Sequence, residues 1–194
     1  MYSHKIQRYI KKELNEIKLI LQILDENKLN NFDKLISESI KAIKSGGKII
    51  LFGNGGSASD AQHLATELTV RYKKNRKALP AISLATDTSA LTAIGNDFSF
   101  EDIFSRQIEA VGKKNDIIIG ISTSGNSKNI INALKIGNKM RIKTFCFLGK
   151  KGGIAKKYSK YPIIFPNTST SVTQVIQITF GQIFCEILEK ELCG

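Results

Sequence analysis

Lys48-Ile49-Ile50-Leu51-Phe52-Gly53-Asn54-Gly55-Gly56-Ser57-Ala58-Ser59-Asp60-Ala61-Gln62-His63 is the stretch on which the fold turns. Lys48 to Phe52 is a short apolar run that predicts a buried strand. Gly53 to Ser57 is a turn rich in glycine and hydroxyl groups. Ser57 is the expected cap of a helix running toward Tyr72, with Asp60 placed as in a capping box. A second stretch repeats the grammar: Ile117-Ile118-Ile119-Gly120-Ile121 leads into Ser122-Thr123-Ser124-Gly125-Asn126-Ser127 and then an amphipathic run. Each loop is thus expected at the carboxyl end of a parallel strand, where open α/β sheets bind ligands. A helix N-terminus presents unpaired N–H groups and the positive end of a dipole, which suits phosphate. Neither loop carries the Gly-Lys-Ser/Thr of a Walker A motif or the spacing of a dinucleotide fingerprint. Two such loops in one chain point to a phosphorylated small molecule.

Working outward, apolar positions recur at helical spacing at Ile6, Tyr9, Ile10, Leu14, Ile17, Leu21 and Leu24, predicting an amphipathic N-terminal helix. Phe32, Leu35, Ile36, Ile40 and Ile43 predict a second helix that Gly46-Gly47 stops. Further strands are expected at 81–85, 116–121, 143–148 and 161–165. Helical pieces fall around 89–94 and 100–111, then at 128–140, and a last helix at about 170–192. Five strands interleaved with helices mean a doubly wound parallel sheet. At 194 residues the chain is expected to be one domain, 1–194, burying about 70% of its extended-chain surface.

Composition narrows the function classes. Hydrophobic residues make up 42% and charged residues 24%, an ordinary globular balance. No run reaches the roughly 18 apolar residues of a membrane span. Cys146, Cys185 and Cys193 are odd in number and lack CxxC spacing. That argues for a reducing compartment, hence a cytoplasmic location, and against a cysteine–zinc framework. The formal charge is +12, from 29 basic and 17 acidic residues. The lysines are scattered in pairs such as Lys73-Lys74 and Lys113-Lys114, with no basic run interleaved with aromatics. They read as solvated faces rather than as a nucleic-acid surface.

His63 and Glu67 lie four apart on the helix that the first loop opens, so they share a face. A carboxylate beside an imidazole can serve as a general base or as a pair of metal ligands, or it can simply form an i,i+4 surface contact. The only other histidine is His4 near the N-terminus, so a two-histidine metal site within one chain is not expected. Asn96-Asp97 follows Gly95 in a helix-ending turn, where it either bonds sugar hydroxyls or caps the turn. Gln174, Gln177 and Gln182 lie on the last helix, where glutamines are usually solvated. Gln174 and Gln182 stand about 12 Å apart along it, too far to converge on one small site without symmetry-related chains.

Several motifs together resemble the phosphoheptose isomerases of the sugar-isomerase (SIS) fold. They are Gly53 through His63 with Glu67, Thr86-Asp87-Thr88-Ser89, Gly95-Asn96-Asp97-Phe98, and Gly120 through Ser127. The likeness spans nearly the whole chain. It implies a homotetramer with N-terminal and C-terminal helices at subunit boundaries. It also implies conversion of sedoheptulose 7-phosphate to D-glycero-D-manno-heptose 7-phosphate, for lipopolysaccharide or related glycans. By resemblance, Ser57, Ser122, Ser124 and Ser127 bind phosphate. Asn54, Gly55, Gly56, Asn96, Asp97, Thr123 and Gln174 contact substrate, and Glu67 is the catalytic base. A zinc ion is implied at His63, Glu67, Gln174 and position 182.

The last helix departs from the family's Arg-Ile-Gln-Glu-x-His pattern with its further histidine eight residues after the glutamine. Here the run is Val172-Thr173-Gln174-Val175-Ile176-Gln177, and the eighth position is Gln182. In the family that histidine is both a zinc ligand and the proposed general acid. A glutamine cannot donate a proton to an oxygen at neutral pH, and its amide oxygen is a poorer zinc ligand. The substitution therefore implies a weak zinc site and reduced isomerase activity. It also leaves open an alternative: a non-catalytic regulator like the subfamily of this fold that associates with the replication initiator protein.

Overall fold

The computed structural model describes residues 2–24, 30–166 and 169–194. At its centre lie five parallel strands: β1 (Ile49–Gly53), β2 (Ala81–Ser83), β3 (Ile117–Ser122), β4 (Lys143–Gly149) and β5 (Tyr161–Phe165). Their spatial order is β2-β1-β3-β4-β5, all pairs parallel. From β1 the chain steps outward to β2, then crosses back to place β3 on the other side of β1. The crevice between the carboxyl ends of β1 and β3 is therefore the topological switch point, where ligands of such sheets bind.

Period-two alternation sends strand side chains to opposite faces, and each face builds its own core. Ile49, Leu51, Ile119, Phe145, Phe147 and Phe165 pack beneath α2 (Asn30–Lys44), α3 (Gly56–Thr69) and α7 (Thr170–Cys193). Ile50, Phe52, Ile118, Cys146 and Leu148 face the other layer. That layer is formed by α4 (Thr88–Asp97), α5 (Ser105–Val111) and α6 (Lys128–Lys139). Asp116 fixes the start of β3 to that of β1, accepting from the Lys48 backbone N–H at 2.9 Å and from Lys48 Nζ at 2.6 Å.

The expected elements are present with shifts at their ends. The stretch 100–111 is a 3₁₀ turn followed by the short α5 rather than one helix. The capping box predicted at Ser57 and Asp60 does not form. Gly55, at φ 55°, occupies the N-cap position without a side-chain cap, which draws Ser57 into the first turn, where it is buried. Asp60 Oδ2 is buried without a hydrogen-bond partner, and desolvation raises the pKa of that carboxyl.

In α1 (Tyr2–Ile23) it is the second half that packs on the body, through Ile17 and Ile20. Ile6, Tyr9, Ile10 and Leu14 are each more than half exposed. By length and composition α7 could cross a membrane, but half of its apolar window is buried in this fold, where it serves as a core helix.

Candidate functional site

The two loops meet side by side at the switch point and are joined there by an amide pair. Asn54 Nδ2 donates to Asn129 Oδ1 at 2.9 Å, and Asn129 Nδ2 returns a bond to Asn54 Oδ1 at 2.9 Å. Asn129, buried in the first turn of α6, is not among the residues that the sequence motifs single out. Its one signal there is a polar side chain on a helix face otherwise made of Ile130, Ala133 and Leu134.

Each loop turns on a left-handed glycine, Gly55 at φ 55° and Gly125 at φ 66°. At Gly125 a side chain is excluded on steric grounds as well, because a Cβ would sit 2.2 Å from the Gly152 carbonyl oxygen. The loop after β4 braces this turn: Ala155 N–H donates to Gly125 O at 2.8 Å, and Ile154 N–H donates to Asn126 Oδ1 at 3.0 Å.

The four expected phosphate-binding serines are not equivalent. Ser57 and Ser122 are buried. Ser122 Oγ accepts from the Gly125 N–H at 3.0 Å, which shapes the loop and leaves its own hydroxyl proton to donate. Ser124 Oγ accepts from Asn126 N–H at 3.1 Å at the loop's rim. Ser127 is the N-cap residue of α6 and makes no side-chain cap bond. Thr123, between them, is half-buried.

The two long helices flanking the first loop set the remaining groups. α3 and α7 run parallel in contact. The pairs Gly56 with Gln174, Leu64 with Gly181, and Tyr72 with Glu189 all touch, keeping one register over the length of α3. Gly181 permits the approach, since a Cβ there would lie 2.5 Å from Leu64. Gln174 stands against Gly56 at the loop.

Two turns along, His63 Nε2 lies 3.0 Å from Glu67 Oε1, and the Gln182 amide nitrogen lies 3.0 Å from His63 Nε2 and 3.5 Å from Glu67 Oε1. The simple i,i+4 contact is therefore part of a three-residue cluster. Gln182 reaches it within one chain, while Gln174 stays at the loop, eight residues back along α7: the parallel packing of α7 on α3 carries each glutamine to its own level. The His63 side chain is 52% exposed and that of Glu67 22%, so the cluster opens to solvent.

Gln177 corrects another expectation. It is buried rather than solvated, with Nε2 donating to Phe147 O at 2.9 Å and to Ser122 O at 3.4 Å. It thereby supports the second loop from beneath. Asn96 and Asp97 end α4, exposed and bonded to each other, Nδ2 to Oδ1 at 2.8 Å. Among the described residues no hydrogen bond joins them to the cluster.

As a zinc site the cluster is poor in suitable donors. It offers one imidazole, one carboxylate and one amide, whereas zinc favours imidazole and thiolate. No group of three His, Cys, Asp or Glu side chains able to hold a metal occurs among the described residues.

The model of the SIS domain matches residues 14–149. A phosphoheptose isomerase of Clostridium acetobutylicum is 46% identical over 97% of this chain and 95% of its own length. The chain belongs to the phosphoheptose isomerase family. Another such isomerase, from Aquifex aeolicus, is 50% identical over 78% of this chain and 80% of its own. The solved phosphoheptose isomerase GmhA of Neisseria gonorrhoeae superposes with a TM-score of 0.86 at 32% identity, covering 98% of this chain and 100% of that one. A phosphoheptose isomerase of Francisella tularensis gives 0.88 at 26%, over 98% and 99%. The five-stranded parallel sheet with its flanking helices is thus the fold of solved phosphoheptose isomerases.

Proposed function

We propose that this chain is a sugar-phosphate isomerase that interconverts sedoheptulose 7-phosphate and D-glycero-D-manno-heptose 7-phosphate. One observation carries the reading: His63, Glu67 and Gln182 cluster two turns along α3 from the first of two glycine–serine loops that meet at the β1/β3 switch point. The phosphate is assigned to the loops, through Ser57, Ser122, Ser124, Ser127 and the N-terminus of α6. Asn54, Gly55, Gly56, Thr123, Gln174, Asn96 and Asp97 are assigned to the sugar.

Aldose–ketose exchange moves a proton between the two carbons of an enediolate while a second proton passes from the oxygen of one to the oxygen of the other. Glu67 takes the proton from the carbon beside the carbonyl and returns it to the neighbouring carbon. The Gln182 amide, next to Glu67, donates to the oxygen on which charge develops. Phosphate binding far from the reacting carbons fixes the geometry. The donor set does not fit resident zinc, so any zinc is held weakly.

The uncovered apolar stripe of α1 supports a homotetramer packed through its N-terminal and C-terminal helices. We place the protein in the cytoplasm, supplying heptose for lipopolysaccharide or a related surface glycan. The regulatory alternative is not favoured, since the full-length relatives quoted above are isomerases.

The test is incubation of purified protein with sedoheptulose 7-phosphate in D2O, with and without added zinc. Conversion with solvent deuterium beside the carbonyl is expected. Tight binding with neither conversion nor deuterium incorporation would return the protein to the regulatory class.

A further inference from the structure

Arg76 and Glu189 form a buried ion pair, each side chain 3% exposed, with Nε 3.1 Å from Oε2. Arg76 lies in the segment between α3 and β2, and Glu189 lies in the last turns of α7. The pair does more than neutralise charge. Arg76 Nη2 donates to the carbonyl of Glu67 at 2.8 Å, and Nη1 donates to the carbonyl of Leu68 at 2.7 Å. These are among the last carbonyls of α3, which have no partner within the helix.

Glu189, for its part, accepts from three successive backbone N–H groups, those of Tyr72 at 3.0 Å and of Lys73 and Lys74 at 2.9 Å. Burial works to raise its pKa, and these donors with Arg76 overcome that effect, so the carboxyl titrates below its ordinary value and stays charged. The end of α3 is thereby wrapped around one carboxylate of α7.

The consequence falls on the cluster at Glu67. α3 carries His63 and Glu67, and α7 carries Gln182. The contact between them depends on the register of two parallel helices, and a slip of one residue along an axis is about 1.5 Å. We propose that Arg76 and Glu189 are positioning residues that lock this register and so hold Glu67 opposite Gln182. The proposal rests on the isomerase reading for its kinetic consequence only. The pair touches no group assigned to substrate except through the Glu67 backbone, so it affects turnover without entering the binding of the sugar phosphate.

The experiment compares Arg76→Lys and Glu189→Gln with the unaltered chain, well below the melting temperature of each. The first keeps the charge but loses the forked donation to two carbonyls; the second keeps the shape but loses the charge. Turnover of sedoheptulose 7-phosphate should fall about 10²-fold, the cost of a misplacement near 1 Å, while KM stays within about twofold, since binding contacts are untouched.

A second readout needs no activity. The chain has two histidines, so a His4→Gln background leaves one imidazole signal, that of His63. That nitrogen resonance should move in both variants, because the Gln182 and Glu67 contacts loosen. A folded variant in which the His63 signal is unmoved overturns the proposal, as does an equal change in KM with unchanged kcat. If the unaltered chain fails to isomerise the sugar, the isomerase reading fails and the imidazole signal alone decides the positioning role. Should one variant not fold, the other carries both readouts.

Discussion

Asn54, in the first loop, and Asn129, in the first turn of α6, exchange two amide hydrogen bonds of 2.9 Å across the β1/β3 crevice. Asn129 Oδ1 also accepts from the Ile130 N–H at 2.9 Å, so the pair ties the first loop to the first turn of α6. The relative placement of the two loops is fixed before any ligand arrives.

Asn129→Ala removes both bonds and leaves the Asn54 amide partly buried without them. A loss of about 1–3 kcal/mol is expected, read as a melting temperature lower by several degrees. A double-mutant cycle with Asn54→Ala should show coupling of about 0.5–3 kcal/mol. Additive effects would show that the pair is not a unit.

Ser124 and Ser127 are the rim hydroxyls: Ser124 accepts from an exposed N–H, that of Asn126, and Ser127 makes no side-chain cap bond. Ser124→Ala with Ser127→Ala should raise KM for the sugar phosphate tenfold or more, since bonds to charged groups are worth about 1.5–3 kcal/mol. The melting temperature should stay nearly constant. Ser122→Ala should lower both affinity and stability, because the Gly125 N–H loses its acceptor. Calorimetric titration with the sugar phosphate separates the two behaviours.

Gln182→His places an imidazole opposite His63, where an amide now stands 3.0 Å away. Zinc occupancy, measured by metal analysis after dialysis, should rise, and turnover should rise with it by up to the 10²–10⁴ typical of a restored general acid. Glu67→Gln should abolish turnover while leaving sugar-phosphate binding in place. An unaltered chain that already turns over at 1–10³ s⁻¹ would mean that a residue other than 182 supplies the acid.

Much of this was legible in the sequence. The strand–loop–helix grammar at Gly53–Ser57 and Ser122–Ser127 carries local signals, namely apolar runs, glycines and hydroxyls, and both loops lie where they were expected. What escaped depends on packing between distant segments. Asn129 looks like any helical asparagine until β1 brings Asn54 to it. Gln177 and Gln182 look solvated until α7 lies along β4 and α3. The predicted capping box failed because Gly55 adopts a left-handed turn that draws Ser57 inward, a choice no side-chain spacing reveals.

Glu38 accepts from Lys143 and Lys34, and the Lys143 contact comes first in pulling its pKa from the ordinary 4.5 down to about 2. A carboxyl lowered in the folded state adds stability that is fully present above pH 4.5 and is lost as pH falls toward 2. The contribution at neutral pH is about 3 kcal/mol at most. Glu38→Gln should therefore flatten the acid limb of the stability curve between pH 4.5 and 2 and lower stability at pH 7. Urea unfolding across that range is the measurement.

Ile10→Glu together with Leu14→Glu charges the stripe of α1 that the fold leaves uncovered. Sedimentation should change from a tetramer to smaller species at micromolar concentration, with the sheet intact by circular dichroism. A monomeric mass for the unaltered chain would remove the assembly from the proposal.

The parallel seating of α7 on α3 also governs the order in which a newborn chain acquires its chemistry. His63 leaves the ribosome 119 residues ahead of Gln182, after which all the remaining strands are made. All five strands can be made while α7, which braces the second loop through Gln177 and carries Gln182 to Glu67, is still missing. Chemical competence therefore arrives last and all at once, when the final helix docks, and a nascent or prematurely terminated chain lacks the brace and the wall together.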